Sequence, residues 1–292
     1  MSDLLAADFA RLLRSQVFHG MLIFCVECLM FEAIVGYIQE TFNQFYMYGL
    51  MNTNFILFGI LLSLFVGLFI GTEYSDGTIR NKLVAGNSRA AVYFSNLITS
   101  IIAGFIMQII FFVLPYIILS IAYANTDVLP STLQYLPTSK DIVQRQLIGL
   151  YIIIAYTAIF VSITTLICSR SGATAAAMAT AILIFAIGLT AHNFVSSYDP
   201  NEEEQETSES TSDYDAAAEL QYRTYSRQNR QPSEQTIKIY QFLDEFLPSS
   251  QSLSITGEKN SKNFGRYVIY DLSISVAATA LGIILYTRKD LK

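Results

Sequence analysis

Six long apolar stretches constrain this chain more than anything else in it. They run about Val17 to Ile38, Phe55 to Gly71, Val92 to Tyr123, Leu147 to Ile167, Ala173 to Val195 and Tyr267 to Tyr286. About 20 apolar residues in a helix cross a hydrocarbon core. Lipid offers no partners for backbone polar groups, so a helix, which satisfies its own, is the form such stretches take. The fold class expected is therefore an all-α membrane protein with six transmembrane helices. Composition agrees: 52% of the 292 residues are hydrophobic and 14% are charged, against roughly 25% charged in a soluble domain. The third stretch is longer than one span needs and contains Pro115, which predicts a kinked or tilted helix.

Orientation follows from the short connections. Arg11 and Arg14, then Arg80, Lys82 and Arg89, then Arg170, then Arg288, Lys289 and Lys292 fall on one side, whereas no basic residue occurs from Glu40 to Asn54. Basic loops stay in the cytoplasm, so both termini are expected there, in a cell-membrane protein. Asp3 and Asp8 occupy the place of a basic leader, and Glu27 and Glu32 interrupt the first apolar stretch; a cleavable signal peptide is not expected.

Residues 1–16 read as an amphipathic interfacial helix, with Leu4, Leu5, Phe9, Leu12 and Leu13 on one face and Asp3, Asp8, Arg11 and Arg14 on the rest. Residues 17–195 hold the first five spans. Residues 196–266 form a large extracytoplasmic segment, and residues 267–292 the last span with a basic tail. The outer segment opens with an acidic run from Tyr198 to Ser212 that has too few apolar groups to order itself. Further on, Pro232-Ser233 starts a helix carrying Ile237, Tyr240, Leu243, Phe246 and Leu247 on one face, ended by Pro248.

Chemistry-bearing motifs are few. Cys25 and Cys28 match a C-x-x-C spacing, but inside an apolar helix they read as small buried hydrophobes. A phosphate-cradling Gly-x-x-x-x-Gly-Lys-Ser/Thr run is absent from the chain, as are Gly-x-Ser-x-Gly and His-Glu-x-x-His. The chain is thus expected to be no enzyme, with no cofactor or metal of its own and no nucleic-acid partner. Glu27 and Glu32 lie in the first span, where an ionised carboxylate costs at least about 2.5 kcal/mol; they are candidates for a translocation path. Asp271 reads as interfacial, at the start of the last span. The small residues from Ser171 to Ala181 predict close helix packing at the start of the fifth span.

The connection from Gly71 to Gly86 is too polar for lipid. Asp76-Gly77 reads as a turn, Thr78 as an N-cap, Ile79 to Ala85 as about two helical turns and Gly86 as a C-terminal stop. Glu73, Gly77, Thr78, Ile79, Arg80, Asn81, Lys82 and Leu83 form a Glu-x-x-x-Gly-Thr-Ile-Arg-Asn-Lys-Leu run that resembles the permease subunits of type-2 ABC transporters. The resemblance implies that residues 73–86 form a cytoplasmic coupling helix that docks on a separate ATPase, through Glu73, Tyr74, Gly77, Thr78, Arg80, Asn81 and Lys82. It also implies export of a substrate, a second permease subunit of the same or a different kind, and ATP with Mg bound by the partner ATPase. Arg80 and Lys82 are expected to contact the ATPase, with Glu73 anchoring the turn through Arg80. The acidic run is no family feature. Two readings compete: a self-powered secondary transporter or channel, and a membrane sensor that binds a ligand on the outer segment.

Overall fold

The computed structural model describes residues 2–38, 44–123, 139–167, 169–197, 233–256 and 264–289. Those residues are helical with short connections, and no strand occurs among them. The helices are α1 (Ser2–Arg14), α2 (Gln16–Ile38), α3 (Gln44–Ser75), α4 (Thr78–Val84), α5 (Arg89–Tyr123), α6 (Ser139–Thr165), α7 (Arg170–Ser197), α8 (Glu234–Phe246), α9 (Pro248–Thr256) and α10 (Phe264–Arg288). The expected acidic run, Cys168 and the last three residues lie outside the described set.

Among the described residues, five segments are long and apolar enough to cross a membrane: Phe58–Ser75, Arg89–Phe111, Gln144–Thr165, Arg170–Ser197 and Phe264–Arg288. The chain is a multi-pass membrane protein. Among the described residues α1 and α2 pass the same length and composition test only as a pair, Ser2–Arg14 with Gln16–Phe31, and they meet at Ser15 with a bend of 53°. The N-terminal residues thus form a helix distinct from α2. α5 continues past Pro115 as a single helix to Tyr123.

α3 and α6 occupy the middle of the bundle. Phe58, Leu62, Phe65 and Phe69 of α3 are buried with Phe111 of α5 and Ile152 and Phe160 of α6. Aromatic pairs help fill this core, with Phe58 edge-on to Phe111 at 6.2 Å and Phe65 stacked on Phe69 at 5.3 Å between centroids. α7 packs along α3 through its small residues: Ala173, Ala177 and Ala181 recur every fourth residue and are all buried. Opposite them, a Cβ at Gly67 would stand 2.7 Å from the Thr174 Cα, a separation only glycine permits. Ala173, Ala177 and Ala181 therefore serve packing inside one chain, while Ser171, Ala175 and Ala179 of the same stretch are exposed.

Polar contacts tie the helices at the end where the basic residues gather. Tyr74 donates to the Thr165 carbonyl at 2.5 Å. Arg89, opening α5, donates to the carbonyls of Tyr286 and Thr287 at 3.4 and 3.1 Å and to that of Lys289. A cation on the last carbonyls of α10 complements that end of its dipole. Deeper in, Tyr93 Oη and Ser162 Oγ lie 2.7 Å apart, and Ser162 donates to the Ala278 carbonyl at 2.8 Å, linking α5, α6 and α10.

At the opposite end α8 begins with Ser233 as N-cap, its hydroxyl accepting from the Thr236 amide at 3.2 Å. This is the helix expected after Pro232-Ser233, but Pro248 does more than stop it. Pro248 opens a further helix, α9, which sits against α3, α6 and α7 with Ser249, Ser250, Gln251 and Ser252 buried. The segment from Pro248 to Thr256 is rich in Ser and Gln, and its hydroxyls find carbonyl partners: Ser249 on Ile184 and Ser252 on Pro248, both at 2.8 Å. Satisfied in this way, polar side chains can be buried in an apolar bundle.

Candidate functional site

The connection between α3 and α5 is built as a turn and a short helix. Gly77 stands at the N-cap position of α4 with φ of 68°, and Gly86 follows the helix with φ of 90°. Both are in the left-handed region where a side chain is strained. Thr78, expected as the N-cap, is the first helical residue, and its side chain makes no cap; the turn at Asp76-Gly77 and the stop at Gly86 lie where the sequence places them.

α4 has two chemically different faces. Ile79 and Lys82 point inward and are buried, whereas Arg80, Asn81, Val84 and Ala85 are exposed. Lys82 ties this helix to two of its neighbours. Its ammonium group lies 2.6 Å from Asp8 Oδ1 of α1 and is hydrogen-bonded to Glu73 Oε1 at the end of α3. Glu73, fully buried, is also paired with Arg11 of α1 at 3.0 Å and accepts from Asn96 Nδ2 of α5 at 2.8 Å. Asp8 accepts from Ser95 Oγ of α5 at 2.5 Å. The Arg11 guanidinium covers the Phe69 ring, with Cζ 3.8 Å from its centroid, a cation–π contact.

Two carboxylates and two cations thus share one buried cluster, drawn from α1, α3 and α4 and braced by two amide and hydroxyl donors of α5. Net charge within it is zero, and each carboxylate has both a cation and a neutral donor. Removing any one of the four would leave a buried charge uncompensated, which is the costly case for ion pairs away from water. The arrangement ties the second half of α1, the end of α3, α4 and the start of α5 together.

The sequence-derived site residues divide accordingly. Glu73 anchors the turn, but through Lys82, Arg11 and Asn96 rather than Arg80. Lys82, expected on the presented face, faces inward because two carboxylates are there to receive it. Tyr74 braces α3 against the end of α6 through the Thr165 carbonyl. Gly77 and Thr78 form the turn, and Arg80 and Asn81 remain on the outside. Glu27 is exposed on the outer surface of α2, among the exposed Ile23, Phe24, Met30 and Phe31, and it is not turned into this bundle. Glu32 lies in α2, with its side chain outside the described set.

Sequence reading missed Asp8, Arg11, Ser95 and Asn96 as members of this site. Asp8 was expected on the outer face of α1 and Leu13 on the apolar one; Asp8 is buried with Leu4 and Leu12, and Leu13 is 61% exposed. The available signal was the polar set Ser95, Asn96, Thr99 and Ser100 inside an apolar run; all four are fully buried. Cys25 and Cys28 form no disulfide, and no cluster able to hold a metal ion occurs among the described residues. Compared with protein-family models, with curated proteins and with solved structures, the chain shows no significant match.

Proposed function

We propose that this chain is the permease subunit of an ATP-driven exporter, with α4 as the helix through which a separate ATPase moves the bundle. The observation that carries this reading is the two-faced α4: Lys82 is clamped by carboxylates of two other helices, while Arg80, Asn81 and Val84 are presented outward. A coupling element has to be rigid toward the spans it moves and exposed toward the partner that moves it. An ordinary polar connection needs neither the buried clamp nor an apolar Val84 that is 81% exposed.

In this reading α1 lies along the cytoplasmic surface, α2 makes the sixth crossing, both termini are cytoplasmic, and the basic end of the bundle faces the ATPase. ATP and Mg belong to that partner. Glu27, directed away from this bundle, enters a translocation path only between this permease and a second permease subunit. The self-powered transporter and the sensor lack a use for α4.

The test is to isolate the tagged protein from its native membrane and assay for an associated ATPase, comparing Arg80→Glu with the unaltered chain. Association and stimulated ATP hydrolysis should fall about tenfold in the variant, equivalent to about 1.4 kcal/mol, with membrane insertion unchanged. Full coupled hydrolysis in Arg80→Glu would remove α4 from the interface.

A further inference from the structure

Asp271 poses a separate problem. Read from the sequence as interfacial, it is fully buried, about 25 Å along α10 from Arg288 at 1.5 Å per residue. It therefore lies in the half of the bundle remote from α4. Neither of its carboxylate oxygens is held in a well-formed hydrogen bond among the described residues, and the one donor within reach is the neutral side-chain amide of Gln251. Tyr156 of α6 and Gln251 of α9 are the polar side chains beside it.

No counter-charge faces it from the elements packed around it, among the described residues. α6 offers the neutral Tyr156; its cation Arg145 is three helical turns away and donates to the Ile255 carbonyl. α9 has no ionisable side chain. From α8, Asp244 and Glu245 approach α10 near Tyr267, nearer its start than Asp271; both are acids, and they are engaged by His192 and Arg266. α5 meets α10 near the other end, where Tyr93 neighbours Tyr286. Meanwhile Gln251 directs its Nε2 to the Glu245 carbonyl at 2.9 Å, and its Oε1 is buried without a partner. Among the described residues the surroundings therefore hold an unused oxygen acceptor, Gln251 Oε1, and no cation.

An ionised carboxylate cannot remain unpaired in such a place. We propose that Asp271 is the anionic centre of an exchangeable site for one monovalent cation, a proton or Na⁺, on the side of the bundle remote from α4. Either occupant neutralises the carboxylate. Exchange between them is balanced: the protonated acid takes up Na⁺ and releases its proton to water. The site requires no ATPase, so it stands or falls independently of the permease reading.

Infrared difference spectroscopy on the full chain in proteoliposomes tests it directly. Switching from mildly acidic to alkaline buffer in choline should remove a protonated-carboxyl band that Asp271→Asn lacks and Asp271→Glu shifts. Switching from choline to Na⁺ at constant pH then separates the occupants: loss of the same band assigns Na⁺ as a competitor, and its persistence assigns the proton alone. A band that responds to neither change would identify a permanently neutral structural acid and overturn the proposal. So would the absence of any band assignable to Asp271, which would mean a permanent ion pair. Asp271→Glu keeps the test open if Asp271→Asn fails to fold.

Discussion

Lys82 and Arg80 are two positions apart on α4 and have opposite fates, and the difference is testable. Lys82→Ala leaves Glu73 and Asp8 short of a cation inside the cluster, so it should destabilise the protein by about 3–5 kcal/mol. Thermal unfolding followed by circular dichroism suits a chain with no tryptophan. Pairing Lys82→Met with Glu73→Gln should recover part of that loss, because the two changes remove charges of opposite sign from one contact. Arg80→Glu should unfold at the temperature of the unaltered chain. Equal destabilisation by Lys82→Ala and Arg80→Glu would contradict the two-faced helix. The sequence could not separate these two residues, since α4 is only seven residues long and polar on most of its circumference. What turns Lys82 inward is a pair of carboxylates 9 and 74 positions away in the chain (82 − 73 and 82 − 8), a tertiary fact without a local signature.

The helices themselves were largely legible because hydropathy reports on the solvent each will meet. α7 illustrates this: both its length and its small-residue opening are visible in the sequence, and Ala173, Ala177 and Ala181 pack where that opening predicts close approach. Gly67→Leu, facing Thr174 across that contact, should therefore cost about 1–3 kcal/mol through overpacking. Gly20→Leu is the control, since nothing lies within 4 Å of a Cβ there. Unfolding midpoints in detergent compare the two; similar losses would mean that α3 and α7 do not approach as closely as described. α9 shows where legibility ended. Its Pro-Ser-Ser-Gln-Ser opening is as polar as a surface loop, and its burial depends on carbonyls supplied by α7 and by its own first turn. Asp271 was misplaced for a related reason: a carboxylate near the start of a span is normally interfacial, but α9 covers that end of α10.

For the whole molecule, polar contacts at one end join α1, α3, α4, α5, α6 and α10. The α1–α3–α4–α5 charge cluster, Tyr74 on α6, and Arg89 on α10 lie at the end that carries the basic residues. In the proposed permease, a displacement applied to α4 would pass through these contacts to the helices they join rather than be absorbed by a loop. The other end carries α8 and α9, the His192–Asp244 contact and the buried Asp271. The functional proposal requires the first of these ends to be cytoplasmic, where an ATPase can reach Arg80. The direct measurement is labelling of Arg80→Cys by a membrane-impermeant thiol reagent, with the unaltered chain as the background control. Labelling only after the membrane is opened is the expected result. Labelling from outside intact cells would contradict both the orientation and the role assigned to α4.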